Sequence, residues 1–211
     1  MLDAAVEKSF QERFNAIRTL KTGDLVPKPQ QSSLTVKDVR PGGFFTYLDR
    51  TYYVKEMAEY EECSDDFSKR KGFTVTELTC LCLESGDTVG FEWEHDDELE
   101  VTQTLERFRF RDLTDDAGEA IDEDDLDQIA DDSDVIVLKG EKYWYEDDWA
   151  SIYQKGSKEE KVYMYEFEND SHTRFLTIEE WDSGSGKESY QIYTSHPVEP
   201  MSITLISKGG S

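Results

Sequence analysis

The sequence predicts a mainly β protein of the α+β class: an N-terminal helix followed by two antiparallel units that are β-barrel-like or sandwich-like. Three observations carry this. The 211 residues include 11 Tyr, 11 Phe and 4 Trp, more rings than a disordered chain holds. From residue 44 onward, short runs rich in aromatic and β-branched residues alternate with Gly, Asp and Asn turns. Before residue 24 the apolar spacing is helical instead.

Val6, Phe10, Phe14, Ile17 and Leu20 recur every three or four residues and share one helix face, and Gly23 is a natural stop. That face is expected to pack on the protein's own body. Leu25 to Ser33 holds two prolines among small and amide residues, so 1–33 reads as helix and linker, the linker being neither helix nor strand. Phe44 to Leu48, a turn at Asp49-Arg50 and Thr51 to Tyr60 form a hairpin. A polar loop, Glu61 to Gly72, leads to a second hairpin, Phe73 to Leu83 and Thr88 to Trp93, around Glu84-Ser85-Gly86-Asp87. Val101 to Phe110 completes a first β unit, 34–112.

Residues 113–134 read as an acidic connector. A second β unit, 135–207, follows: Val135 to Leu138, a turn at Gly140-Glu141, then Lys142 to Tyr145. Asp182 to Gly186 is a flexible turn, Glu188 to Thr194 and Met201 to Ile206 are closing strands, and 208–211 is a frayed tail. The halves echo each other. Thr51 to Val54 matches Lys142 to Tyr145 at an offset of 91, and after a loop shorter by seven, Val75 to Trp93 matches Glu159 to Thr177 at 84, with Leu83 facing Phe167. This reads as an internal duplication.

The formal charge is −25, and Asp112 to Asp134 alone holds 12 carboxylates in 23 residues without Lys or Arg. Such charge repels phosphate backbones and anionic lipid, so the partner is expected to be a protein with a basic surface, with no direct nucleic-acid binding. Met1 to Lys21 intersperses charges among its apolar residues, unlike a secretory leader, and no apolar run suits a membrane span. Three cysteines, an odd number, fit reduced thiols, and the chain reads as cytoplasmic.

The run Gly42 to Val54 (GGFFTYLDRTYYV), Glu77 to Asp87 (ELTCLCLESGD) and Val89 to Trp93 (VGFEW) resembles a bacterial family known as domain of unknown function 4178. The resemblance covers 35 to 112, with a weaker second copy in 135 to 207. It implies an adaptor in a bacterial stress response or envelope-associated system, and it supplies no catalytic residue.

Candidate chemistry is sparse. Glu94, His95 and Asp96 put an imidazole among carboxylates, which suits Zn or Mn, but they follow a strand and lack a helical ligand spacing; a solvated loop is the ordinary reading. Counting a calcium loop from Asp122 puts Asp127 and Ser133 where Gly and Glu are needed, which rejects an EF-hand. Cys80 and Cys82 point the same way on a strand and read as buried core, with Cys63 the more accessible thiol. Adjacent carboxylates such as Glu179-Glu180 face opposite ways on a strand and form no acid/base dyad.

The sequence therefore predicts a non-enzymatic protein-binding or adaptor protein without a cofactor. Asp115, Asp116, Asp122, Glu123, Asp124 and Asp125, with Trp144 and Trp149 nearby, are its candidate contact residues. An acidic DNA mimic that occupies a nucleic-acid-binding protein, and a metal protein or enzyme using His95 with nearby acids, are the alternatives.

Overall fold

In a computed structural model of the chain, residues 3–182 and 188–210 are described. Their elements are α1 (Ala4–Thr19), α2 (Lys28–Gln31), β1 (Phe44–Tyr47), β2 (Arg50–Cys63), β3 (Arg70–Cys82), β4 (Thr88–His95), β5 (Leu99–Phe108), β6 (Leu113–Thr114), α3 (Leu126–Asp132), β7 (Val135–Leu138), β8 (Glu141–Lys155), β9 (Lys158–Asn169), β10 (Phe175–Asp182), β11 (Glu188–Pro197) and β12 (Thr204–Ser207). The fold is mainly β with an N-terminal helix. The turn expected at Ser183 to Gly186 lies outside the described residues.

The chain divides into two compact units that interleave along the sequence. One comprises Met1–Ala58, Thr76–Val101 and Val198–Ser211; the other comprises Glu59–Val75 and Thr102–Pro197. This differs from the sequential division at 34–112 and 135–207, and strand length is the reason. Half of Glu61 to Gly72, expected as a loop, is strand: β2 runs to Cys63 and β3 starts at Arg70, joined by a turn in which Ser64 N donates to the carbonyl of Lys69 at 2.8 Å. The far end of β2 then pairs Glu59 to Cys63 with Gln154 to Ala150 of β8. Cys63 is consequently buried, as are Cys80 and Cys82, so the expected accessible thiol is not one.

In the first unit β1 pairs antiparallel with both β12 and β2, and β3 with β4. Phe91 centres the core, with Phe45, Tyr47 and Tyr52 edge-on to its ring at 5.1, 6.0 and 5.0 Å. Val36, Val39, Val54, Leu78, Cys80 and Leu205 complete it. Each such side chain contributes roughly 1.5–3 kcal/mol by leaving water. The 208–211 tail is packed rather than frayed, as far as Gly210. Arg40 N donates to the Lys208 carbonyl at 2.7 Å and Gly210 N to the Pro41 carbonyl at 2.9 Å. Gly209 is left-handed, and a Cβ there would lie 2.3 Å from Gly43 N. The 25–33 linker is likewise ordered: Val26 N donates to Ile206 O at 2.8 Å, and Pro29 lies in the first turn of the one-turn helix α2, where its fixed φ suits a helix start.

Helix α1 is capped by Asp3, whose side chain accepts from Ala5 N at 2.8 Å. It packs by the opposite side from the one expected. Ala16 is buried and Arg13 Nη1 donates to the carbonyls of Leu83 and Glu84, both at 3.3 Å. Val6, Phe10, Phe14 and Ile17 are exposed at 50, 62, 47 and 53%. The α1 contact uses small and long polar side chains because Gly86, which meets Ser9 and Arg13, leaves room for them.

In the second unit β8, β9, β10 and β11 pair in sequence, β5 pairs with β11, and β7 lies between β8 and β6. Alternation gives the sheet two different faces. Leu176 and Ile178 join Tyr165, Phe167, Ile136, Leu138 and Ile192 in an apolar core. Thr177, Glu179 and Trp181 point the other way, and all three are buried.

Two pairs of hairpins in the chain are alike in form and ladder. Both β1 and β7 are four-residue strands, each joined to a long strand by two residues at positive φ, Leu48-Asp49 and Lys139-Gly140. Phe44 pairs with Tyr53 and Val135 with Trp144, so the offset of 91 preserves the ladder. In the next hairpin Leu78 pairs with Phe91 and Tyr165 with Ile178, an offset of 87. The offset of 84 is thus three residues out of register, and Phe167 corresponds to Cys80 rather than Leu83. Strand sequences alternate too regularly to fix an odd shift without the pairing.

Candidate functional site: an acidic face on the second unit

The acidic segment is folded onto the second unit. Leu113, Ile121, Leu126 and Ile129 are its apolar residues, and all four are buried in the core beside Tyr165 and Phe167. Burying them forces the intervening carboxylates outward, and Asp116, Asp122, Glu123, Asp124 and Asp125 are all exposed. Local bonds fix the backbone between these anchors. The half-buried Asp115 accepts from Glu119 N at 2.7 Å, closing a turn. Asp122 accepts from Asp124 N, and Asp125 from Asp122 N, each at 3.0 Å, the reciprocal capping that starts a helix.

One tyrosine of a row on β8 and β9 ties the segment down. Tyr165 donates to Asp127 at 2.8 Å, while Tyr145 and Tyr163 both donate to Asp148. Burial pushes all three phenols up, and the accepting carboxylates push them further in the same direction. Tyr143 rises to about 12, first through burial and then through its bond to Glu141.

The charge placement on α3 runs partly against helix stability. Glu123, Asp124, Asp125 and Asp127 sit by its N-terminus, where the dipole favours them, but Asp131 and Asp132 end it with no basic residue in the last turn. Such terminal carboxylates are misplaced by roughly 0.3–1 kcal/mol each in a longer helix. The segment keeps negative charge where its own fold would prefer the opposite sign.

Among the contact candidates, Asp116 and Trp144 are brought together through Lys142. Its ammonium lies 2.6 Å from Asp116 and 5.8 Å from the centre of the Trp144 ring, and Trp144 is 40% exposed. Trp149 is buried instead, edge-on to Phe73 at 6.3 Å, because it sits on the inward side of β8. His95 ends β4, exposed, with Asp96 in the following bend, while Glu94 is half-buried and raised in pKa by burial and then by Glu100 and Asp96. Among the described residues, no group of three or more His, Cys, Asp or Glu is arranged to hold a metal ion.

One polar group was not legible as a site. Glu179, 3% exposed, accepts from Tyr60 at 2.9 Å and Tyr193 at 3.0 Å on Oε1, and from Trp181 Nε1 at 2.8 Å on Oε2. The rings of Tyr60, Tyr153 and Trp181 pack on one another, with centres 4.8 to 6.4 Å apart. The donors come from β2, β10 and β11, so no spacing in the sequence announces them.

The profile of the family described as Domain of unknown function (DUF4178) matches residues 40–200, and the chain belongs to that family. The match is a single span that takes in most of both stretches, 35–112 and 135–207, on which the resemblance rests. No curated protein and no solved structure matches the chain. Among the described residues, no helix is long and apolar enough to cross a membrane.

Proposed function

We propose that this protein is a non-enzymatic binding module or adaptor whose acidic face, centred on the segment before β7 with Trp144 at its edge, receives a partner with a basic surface. The observation that carries this is the anchoring of the acidic segment by Leu113, Ile121, Leu126 and Ile129. A carboxylate set held at fixed positions can match a particular array of Lys and Arg, whereas a free chain would first lose conformational entropy. Trp144 adds a ring face for a cation. A stress-response or envelope-associated system, in the cytoplasm of a bacterium, is the setting we assign to it.

The test captures partners with wild-type chain and with a Glu123→Gln, Asp124→Asn, Trp144→Ala variant, all three being exposed positions. Loss of a salt-sensitive partner at unchanged melting temperature supports the reading. Identical partners from both chains overturn it. The same ordering also suits the second reading, a DNA mimic, since mimicry needs rigidly held charges; duplex DNA displacing the captured partner would favour it.

A further inference from the structure

Helix α1 presents an unusual surface for this chain. Val6, Phe10, Phe14 and Ile17 form a continuous apolar stripe, half-exposed or more, and Phe10 and Phe14 stack with ring centres 6.5 Å apart. Isolated exposed apolar residues are ordinary, but two phenylalanines and two aliphatic residues on one helix face are a docking surface. Ala16 and Arg13 hold the helix to the body, so the stripe is left to one side of that contact. The helix Ala4–Thr19 is also locally cationic, with Lys8, Arg13 and Arg18 against Glu7 and Glu12, in a chain of −25.

We propose that α1 docks against α1 of a second copy of the chain, antiparallel, giving a weak symmetric dimer. The stripe is self-complementary about its midpoint. With Phe10 facing Phe14 of the other copy, Val6 lies opposite the other Ile17, so apolar residues meet along the whole length. Charge fixes the direction. At 100° per residue, Glu7 and Arg18 project from the same flank of the stripe, within about 20° of each other. In an antiparallel pair like flanks face each other, so Glu7 meets Arg18 of the second copy, twice by symmetry. In a parallel pair that flank would face the one that carries Arg13, a cation already held by the Leu83 and Glu84 carbonyls, and the Glu7–Arg18 match would be lost. Arg18 already lies over the Phe14 ring at 5.5 Å, at the stripe's edge where such a pair forms.

A single pair of four-turn helices buries less than a standard interface, and two chains of −25 repel, so the dimer forms in the micromolar to near-millimolar range. A lipid surface is the competing occupant. The acidity of the chain opposes anionic membranes, whereas the Glu7–Arg18 match serves only another helix.

Sedimentation velocity of the full chain across that concentration range is the primary test. A reversible monomer–dimer equilibrium is expected, abolished by Phe10→Asp; because Phe10 is 62% exposed, this variant keeps its circular dichroism and melting temperature. Glu7→Arg or Arg18→Glu alone should weaken the dimer about fivefold, two exposed ion pairs being lost, and the combined E7R/R18E variant should restore it. Oxidising a mixture of E7C and R18C chains should cross-link one to the other, since the native cysteines are buried. A chain monomeric throughout overturns the proposal, as does a dimer indifferent to Phe10→Asp, a double variant that fails to recover, or E7C cross-linking chiefly to itself. Monomers that co-sediment with phosphatidylcholine vesicles would assign the stripe to lipid instead.

Discussion

The hydroxyl of Tyr60 donates to Oε1 of Glu179 at 2.9 Å, joining two residues 119 positions apart in the chain. The bond ties β2 to β10 inside the second unit, and the same oxygen takes Tyr193 of β11. A buried carboxylate holding donors from three strands fixes their mutual placement, because each donor would lose its acceptor if a strand slipped. Glu179→Ala should therefore destabilise the protein by about 3–5 kcal/mol, leaving buried donors unmatched, and Glu179→Gln by less, since its carbonyl retains part of the set. Urea unfolding midpoints measure both. A Glu179→Ala chain as stable as the wild type would remove the node from the account of the fold.

Leu126 does for the acidic segment what Glu179 does for the sheet. It is 1% exposed and opens α3, so its loss unseats the helix whose charges form the candidate face. Leu126→Ala should cost about 2–5 kcal/mol if the cavity persists. Where the helix detaches instead, amides from Asp122 to Asp134 should exchange rapidly while those of β9 and β10 stay protected. Uniform protection across both regions would show that the segment is held by something other than this anchor.

The tyrosine row gives the protein a defined alkaline limit. Folded-state phenol pKa values raised above the unfolded value of about 10 mean that folding favours the protonated form. The associated stability is complete below pH about 10 and falls as pH rises through the folded values. Tyrosinate absorbance should show Tyr143 ionising at about 12 and Tyr145 and Tyr163 later still. Asp148→Asn should bring Tyr145 and Tyr163 only partway back, burial being the larger cause. Full reversion to ordinary titration would mean that the carboxylate dominates.

What was legible in the sequence was what local pattern determines. Alternation revealed the β class, Gly and Asp revealed the hairpin turns, and the 3–4 spacing revealed α1. What was not legible depended on long-range pairing. Periodicity states that Phe10 and Phe14 share a face but not what covers it, and nothing near Cys63 reports that β8 will. Gly209 looked like the end of a frayed tail because its partners, Gly43 and the Arg40 carbonyl, lie more than 160 residues away. The acidic run announced itself by composition, yet its order rests on only four apolar residues, too thin a stripe to predict a folded segment.

The two equivalent hairpin turns permit a comparison within one chain. Lys139-Gly140 places glycine where φ is 83°, whereas Leu48-Asp49 holds two residues with a Cβ at 47° and 58°, each at a steric cost. Both connect strands through a two-residue loop, Tyr47 pairing with Arg50 and Leu138 with Glu141. A positive φ at both positions is the geometry in which Asn-Gly is preferred. Leu48 is 69% exposed, so replacing it removes little packing. Leu48→Asn with Asp49→Gly should therefore raise stability by about 1 kcal/mol, offset in part by the greater freedom of glycine in the unfolded chain. Thermal unfolding of the double variant decides it: a lower melting temperature would mean that Leu48 makes a contact worth more than the strain it carries.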